Sequence, residues 1–155
     1  MIRKALESDI PAILRLLHQV ANVHHNARPD LFKGNTTKYD RQELEQILSN
    51  ECSPVFVYEH EGRAVGYVFC IVEQVESDRL QQDNKTLYVD DLCVDEALRG
   101  HHIGTALYRH ALAYAREIGC NGLTLNVWEG NSTAIAFYKS MGMCVRKTCM
   151  EQILQ

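Results

Sequence analysis

The 155-residue chain lacks the features of disulfide-rich, zinc-binding or membrane proteins. Its six cysteines include no C-x-x-C pair and lie mostly in apolar runs, which favours reduced core thiols over a disulfide framework or a zinc site. The longest apolar stretch, residues 64–72, is only long enough for a strand. The charged start Met1-Ile-Arg-Lys is followed by no apolar block of secretory length. We therefore expect a cytoplasmic protein that does not bind a membrane.

Charge and composition exclude further classes. The net charge is -4, and no cluster of Lys and Arg stands anywhere in the chain, so we expect no nucleic-acid partner. With 46% hydrophobic residues the chain can bury a core of its own, and residues 1–155 are predicted to form a single domain. The histidine pairs at 24–25 and 101–102 have no carboxylate or cysteine at ligand spacing, so no metal is expected.

Hydrophobic periodicity predicts an alternation of strands and helices. A strand over residues 2–5 precedes a helix from Asp9 to about Val20 with Ser8 as its N-cap, and residues 22–39 are the least regular region. A turn at Glu61-Gly62 joins two strands, and residues 76–85 form a polar loop. The remaining predicted elements are a helix at 41–48, strands at 54–60, 63–75 and 86–94, a helix from 103 to 118, a strand at 123–127, a helix from Asn131 to Met141, and a last strand at 144–154.

The most informative stretch runs from Val94 to Thr105, where a strand passes through a small polar turn into a helix. Successive backbone N-H groups from Gly100 to Thr105 would point into one concavity at a helix N-terminus, which attracts an anion such as a phosphate. Arg99 adds a positive charge at its mouth. A P-loop would need Gly-Lys-Ser/Thr and a dinucleotide fingerprint three glycines, and neither pattern is present.

This turn resembles the acyl-CoA site of the GCN5-related N-acetyltransferases, whose pattern is Arg or Gln, two residues, Gly, one residue, then Gly or Ala. Arg99 and Gly104 fill the outer slots, while His102 occupies the inner glycine slot. A second segment, Asn131-x-x-Ala134-x-x-Phe-Tyr138, is similar to another run of the same family. Two separate motifs therefore carry the resemblance, and the order of the predicted elements matches it over nearly the whole chain.

The resemblance implies a single α/β domain with a mixed, mostly antiparallel sheet flanked by helices. The strands ending near Val94 and Val127 would splay apart, and acetyl-CoA would enter the notch between them as co-substrate. Pantetheine would pair with the first strand like an added strand. The residues expected to contact the cofactor are Leu92, Cys93, Val94, Arg99, Gly100, His101, His102, Ile103, Gly104, Thr105, Asn131 and Ala134.

The resemblance also implies the catalytic groups. Tyr138 would donate its phenolic proton to the departing CoA sulfur, although a tyrosine on an apolar helix face can equally be part of the core. The strand at 86–94 resembles that of spermidine/spermine acetyltransferases, where an acidic residue at the Asp90 position acts as base, plausibly through water. Since side chains alternate along a strand, Asp90 and Asp91 are expected to point to opposite faces, and we favour Asp90. Cys93 is expected to be a structural thiol rather than a nucleophile.

In this family one wall of the acceptor site comes from the first two helices and their linking loop. The candidate contacts there are His25, Asp30 and Phe32, with Trp128 on the other side. The predicted function is acetyl transfer to a primary amine of a small molecule, such as a polyamine or amino acid derivative, or of a protein. A non-catalytic CoA-binding or interaction module is the alternative. Because dimers are frequent among relatives, the strand from Val145 to Leu154 is predicted as the pairing surface if the chain forms a homodimer.

Overall fold

The computed structural model describes residues 1–154 and shows one five-stranded sheet with helices on both faces. The strands lie in chain order, β1 to β4 antiparallel to their neighbours and β5 parallel to β4. The predicted α/β class and mixed, mostly antiparallel sheet are confirmed. The elements are β1 (Ile2–Lys4), α1 (Ile10–Ala27), α2 (Arg41–Ser49), β2 (Val55–His60), β3 (Arg63–Val75), β4 (Asn84–Val94), α3 (Ile103–Glu117), β5 (Gly122–Leu125) and α4 (Ser132–Ser140).

Alternating side chains of the strands supply two cores, one on each face of the sheet. On one face Val55 and Val57 of β2 pack in a cluster with Leu17 of α1. On the other face Phe56 packs in a cluster with Leu107 of α3. The sheet is thus sandwiched between α1 and α2 on one side and α3 on the other, and β4 lies where residues from both sides can meet.

Helix α1 differs from its prediction at both ends. A 3-10 turn at Glu7–Asp9 leads into it and Asp9 is the N-cap, so the prediction of Ser8 as the cap is wrong. The helix continues to Ala27, through residues predicted to be irregular. Its last turn is held by packing, because the His24 ring stacks on Phe32 with ring centroids 5.1 Å apart.

Strand β4 and the end of the chain also depart from expectation. Strand β4 begins at Asn84, two residues before the predicted start, because its ladder with β3 continues to the Val75–Asn84 pair. The prediction of a strand at residues 144–154 is wrong, because none of these described residues lies in a strand. A strand needs an edge to pair with, and composition alone does not supply one.

The start of α1 is fixed to β1 by a buried carboxylate. Asp9, which is 6% exposed, accepts hydrogen bonds from Arg3 Nη1 at 2.7 Å and Nη2 at 2.9 Å, and from the backbone N-H of Leu6 at 2.8 Å. The hydrogen bonds from Arg3 lower the pKa of Asp9 below its ordinary value. The folded state therefore favours the ionised carboxyl.

We predict that Asp9→Asn lowers the free energy of unfolding by about 1 to 3 kcal/mol at neutral pH, because it removes the buried charge that accepts both Nη hydrogen bonds of Arg3 and leaves only the ion pair of Arg3 Nε with Glu59. Since the pKa of Asp9 is depressed by folding, its contribution is complete above the unfolded-state pKa and disappears as pH falls through the folded-state pKa. The difference in free energy of unfolding between Asp9→Asn and the wild type should thus become smaller below about pH 4. Urea unfolding across this range measures it. Glu45→Gln, in an exposed ion pair with Arg41, is the control and should change stability by less than about 0.5 kcal/mol.

Candidate active site

The turn between β4 and α3 is tied to α1 through buried Asp95. Its carboxylate accepts hydrogen bonds from Arg15 Nη1 at 2.5 Å and from the backbone N-H of Ala97 at 3.3 Å. The backbone N-H of Glu96 donates to the side chain of Gln19 at 3.2 Å. Both anchors come from α1, so the turn is held in a fixed place at the end of β4.

Two left-handed residues shape the second half of this turn. Gly100 has φ of 83° and His102, the N-cap of α3, has φ of 59°. The first residue of α3 whose N-H is bonded to a helical carbonyl is Ala106, which donates to His102 O at 3.0 Å. The preceding amides of Ile103, Gly104 and Thr105 therefore stand at the free N-terminus, as an anion site requires.

His102 occupies its glycine slot by adopting a conformation that glycine adopts easily. Histidine is among the residues that enter the left-handed region more often than most. Its side chain is exposed, as are those of Arg99 and His101, whereas Ile103 is buried in the core and has only its backbone to offer a ligand. The predicted set of cofactor residues is thus split between exposed side chains and backbone groups.

Gly104 lies at the base of the turn, in the first turn of α3. A Cβ added there would lie 3.7 Å from Val94, 3.8 Å from Phe137 and 3.9 Å from Leu92, which are ordinary contact distances. The structure itself therefore accommodates alanine at this position. The same three neighbours show that the end of β4, the start of α3 and α4 meet around Gly104.

The notch predicted between two strands is present. Strand β5 pairs with β4 only from Thr86–Gly122 to Val89–Leu125, so within residues 1–154 the β4 segment 90–94 has no partner on that side. This leaves the backbone edge of the predicted pantetheine residues free for an added strand. Cys93 points away from the notch, its Sγ 3.6 Å from Leu16 O, and burial raises the pKa of its thiol to about 12. A protonated, buried thiol is a poor nucleophile.

Helix α4 carries Asn131 as its N-cap and Tyr138 along its length, and its rings pack against Tyr108 of α3. The Asn131 side chain caps the helix by accepting a hydrogen bond from Ala134 N at 3.1 Å. Tyr138 lies near Tyr108, with ring centroids 6.2 Å apart. Burial, with a smaller effect of the Asp91 carboxylate, raises the pKa of Tyr138 to about 12. The phenol therefore stays protonated at neutral pH and can serve as a proton donor.

The expectation that Asp90 and Asp91 face opposite sides of the sheet is wrong. The register between β3 and β4 shifts at this point, so that Phe69 pairs with Asp91 while Cys70 pairs with Val89, and Asp90 is the extra residue of a β-bulge. Such a bulge interrupts the alternation of side chains. Both carboxylates consequently turn towards the face covered by α1 and α2.

The contacts of the two carboxylates show this shared side. Asp90 Oδ2 accepts from Lys38 Nζ at 2.7 Å and from the Tyr39 hydroxyl at 2.8 Å. Asp91 accepts from the Tyr67 hydroxyl at 2.7 Å. Burial raises the pKa of Asp91, although part of its surface remains accessible, as at the bottom of a cleft.

Sequence analysis missed three residues of this cluster, Lys38, Tyr39 and Tyr67. Lys38 and Tyr39 immediately precede Asp40, the N-cap of α2, whose side chain accepts from Glu43 N. That capping signal fixes where the loop ends, and it is the sequence feature that could have drawn attention to them. Tyr67 lies on β3, opposite Cys93 of β4 and two residues before Phe69, the partner of Asp91. Its position beside Asp91 is set by the pairing of β3 with β4.

The structure brings together two of the four residues predicted for the acceptor wall. Phe32 and Trp128 meet edge to face with ring centroids 5.1 Å apart, although they are distant in sequence. His25 Nδ1 is 2.7 Å from the Phe32 carbonyl oxygen, and Asp30 forms an ion pair with Arg28. Two of the four predicted residues thus make an aromatic wall, while the polar groups of the other two stabilise the loop behind it.

No group of three or more His, Cys, Asp and Glu side chains in residues 1–154 is placed to hold a metal ion. No helix among these residues is both long and apolar enough to cross a bilayer.

Comparison with known proteins assigns this fold to a family. The model of the acetyltransferase (GNAT) family matches residues 20–143. The chain belongs to the GNAT family. Acetyltransferases of this family take the acetyl group from acetyl-CoA, which agrees with the predicted co-substrate.

Three relatives of this GNAT chain illustrate the match. An uncharacterised N-acetyltransferase of Methanocaldococcus jannaschii is 30% identical over 105 residues, which are 68% of this chain but 45% of that protein, so the chain spans less than half of its length. The thialysine N-epsilon-acetyltransferase of Bos taurus is 24% identical over 92% of this chain and 82% of its own length. The crystal structure of a mutant of the BH1408 protein from Bacillus halodurans superposes with a TM-score of 0.96 and 31% identity over 100% of this chain and 99% of that one.

Proposed function

We propose that this GNAT protein transfers the acetyl group of acetyl-CoA directly to the primary amine of a small molecule. The free amides of Gly100 to Thr105, with Arg99 and the two histidines between them, would hold the pyrophosphate. The free edge of residues 92–94 would pair with pantetheine, and Asn131 and Ala134 at the start of α4 would flank it. Together these groups would hold the cofactor from the turn into the notch.

One observation carries the proposal: the primary amine of Lys38 is bound to the carboxylate of Asp90, at the end of the notch. Lys38 Nζ lies 2.7 Å from Asp90 Oδ2, and the Asp90 side chain is 14% exposed. The Asp90 hydrogen bond and charge raise the pKa of Lys38 against the opposing effect of burial, so the site favours an alkylammonium. An incoming acceptor amine would take the place of Lys38 on Asp90.

The chemistry assigns one proton transfer to each side of the notch. Bound acetyl-CoA supplies the thioester whose carbonyl carbon the neutral amine attacks. Asp90 would accept the proton that the acceptor ammonium loses, directly or through one water. Tyr138 would donate its phenolic proton to the sulfur when the carbon–sulfur bond breaks. An acetamide and free CoA are the products.

The charges and rings of the acceptor side favour a small alkylamine over a protein amine. Asp90 and Asp91 lie together at the bottom of the site, and Phe32 and Trp128 form an apolar wall beside them. Such a site fits an aliphatic chain that ends in an ammonium group. The Bos taurus relative acts on thialysine, an amine of this kind, which supports the same class here. A protein lysine is the second acceptor class.

We predict that Gly104→Glu abolishes acetyl-CoA binding, because its carboxylate would stand where the pyrophosphate is proposed to lie. Gly104→Ala is the matched control, since a Cβ there meets only ordinary contacts and the fold should be unchanged. Calorimetric titration with acetyl-CoA measures binding, and thermal unfolding checks both variants. Equal binding by Gly104→Glu and the wild type would contradict the proposed cofactor site.

The same three proteins test the acceptor class in a thiol-release assay. Wild type and Gly104→Ala should acetylate small alkylamines such as thialysine faster than a lysine-containing peptide, and Gly104→Glu should acetylate neither. Faster acetylation of the peptide would contradict a small-molecule acceptor and identify protein lysine as the acceptor class. Tight binding of acetyl-CoA with no transfer to any amine would support the non-catalytic CoA-binding module. The cytoplasmic location stays a prediction.

A further inference from the structure

Lys38 differs from the other lysines of the chain because its amine is bound to the residue proposed as the base. Its Nζ lies 2.7 Å from Asp90 Oδ2 and 5.3 Å from the centre of the Tyr39 ring. Among residues 1–154 no other lysine amine lies within ion-pair distance of a carboxylate. The chain therefore holds one of its own primary amines where an acceptor amine is proposed to react.

The backbone at Lys38 is fixed by its neighbours, whereas the end of its side chain is not enclosed. The Tyr39 hydroxyl donates to Asp90 Oδ2 at 2.8 Å, and the Tyr39 ring stacks on buried Phe69 with ring centroids 5.8 Å apart. The Thr37 hydroxyl donates to the Tyr39 carbonyl oxygen at 2.9 Å. The side chain of Lys38 is nevertheless 43% exposed. Its amine thus stays close to Asp90 and keeps the freedom to turn towards a neighbouring group.

The proposed position of acetyl-CoA brings its thioester to the same carboxylate. The last pair between β4 and β5 is Val89–Leu125, so Asp90 is the first residue of the free edge of β4. The pyrophosphate is proposed to lie at the turn beyond Val94, so a pantetheine chain paired with residues 92–94 would run from that turn towards Asp90. The bulge at Asp90 turns its carboxylate towards Lys38. The thioester and the lysine amine would therefore meet at Asp90 from two sides.

We infer that Lys38 is a modification site: its own active site transfers the acetyl group of bound acetyl-CoA to Lys38 Nζ when no acceptor amine has displaced it. The inference rests on the proposed acetyl transfer and uses the same groups. Holding an amine beside the reacting carbon replaces a bimolecular encounter by a reaction within one complex. An amine held in this way reacts far faster than a lysine elsewhere on the surface.

The protons and bonds of this step balance as they do for any amine. Lys38 Nζ gives one proton to Asp90, which passes it to solvent, and the neutral nitrogen forms a bond to the carbonyl carbon. The carbon–sulfur bond breaks with its electron pair on sulfur, and Tyr138 protonates the sulfur. The second proton leaves the nitrogen and, through water, replaces the one that Tyr138 gave. The products are an amide on Lys38 and free CoA.

Acetylation of Lys38 changes the charge of the acceptor site. The amide carries no positive charge, so the ion pair with Asp90 is lost. Asp90 then stands free for the ammonium group of an incoming acceptor, which no longer competes with Lys38. The first molecule of acetyl-CoA would thus prepare the site for the amines that follow.

Incubation of the whole protein with acetyl-CoA in the absence of any amine tests the inference. By intact mass and peptide mapping we expect one acetyl group on Lys38, added at least about 100-fold faster than to Lys33, an exposed lysine of the same loop. Lys33→Arg should gain the group like the wild type, and Lys38→Arg should not. Added thialysine should slow the modification, because it displaces Lys38 from Asp90.

A mixture of wild type with Gly104→Glu, which has a different mass, shows where the reaction takes place. Only the wild-type chains should be acetylated, since each chain modifies its own Lys38. Equal modification of both proteins would show that the reaction does not need the chain's own cofactor site, and the inference would be wrong. Acetylated thialysine beside an unmodified Lys38 would overturn the inference and leave the proposed function in place. A wild type that binds acetyl-CoA but acetylates neither thialysine nor Lys38 would overturn both.

Discussion

Replacing Tyr138 by phenylalanine is expected to lower kcat about 100-fold to 10,000-fold while leaving acetyl-CoA binding unchanged. The substitution removes only the hydroxyl that would protonate the departing sulfur. The ring remains, with its contacts to Tyr108 and Phe137. Turnover at saturating acetyl-CoA, together with calorimetric binding, separates loss of the proton donor from loss of the site.

The pH dependence sharpens this prediction. Burial raises the pKa of Tyr138 to about 12, so the phenol is protonated throughout the range from about pH 6 to 9. The ratio of wild-type to variant rates should accordingly be constant over that range. Tyr108→Phe, which removes a neighbouring hydroxyl, is the matched control and should retain wild-type turnover within a few-fold. Wild-type turnover by Tyr138→Phe would show that the hydroxyl is not the acid.

Local motifs explain why much of the site was predictable. The turn at 99–105 and the start of α4 each depend on residues within a few positions of one another. His102 and Gly100 set the turn, and Asn131 caps the helix that carries Tyr138. The positions of these groups relative to the ends of β4 and β5 follow once the order of elements is known.

The carboxylate cluster was not predictable in the same way. A β-bulge at Asp90 is a property of how β3 and β4 pair, and a one-residue change in register reverses the side that a residue faces. The contact between Lys38 and Asp90 spans 52 positions and begins in a region without periodicity. Only tertiary packing decides such a contact.

The predictions for the end of α1 and for the C-terminal strand were wrong for opposite reasons. Helix α1 continues through residues 21–27 because the aromatic contact between His24 and Phe32 holds its last turn, which local propensity does not include. The strand predicted at 144–154 is absent because pairing decides strands, and one copy of the chain offers its tail no hydrogen-bonded edge within the described residues. Helix α1 is extended by a contact with Phe32, whereas residues 144–154 have no strand to pair with among the described residues.

A pair of amide substitutions is expected to identify the base. Asp90→Asn should lower kcat/KM for the amine about 100-fold or more, because it removes the charge that holds the ammonium and accepts its proton. Asp91→Asn should lower kcat/KM only a few-fold, since its amide oxygen can still accept a hydrogen bond from the Tyr67 hydroxyl. Initial rates over a range of amine concentrations measure both. The larger loss in Asp91→Asn would assign the base to Asp91, whose raised pKa would then place the acidic limb of the rate profile above the ordinary range of aspartate.

Lys38 gives the same argument a second measurement. If the acceptor must displace Lys38 from Asp90, then Lys38→Met should lower KM for a cationic amine, whereas Lys38→Arg, which keeps a cation beside Asp90, should not. Turnover at saturating amine should change little in either variant, because Lys38 is proposed to leave before the reaction. An unchanged KM in Lys38→Met, combined with a large loss in Asp90→Asn, would mean that the amine reaches Asp90 without removing Lys38. The ion pair would then be part of the acceptor site rather than its occupant.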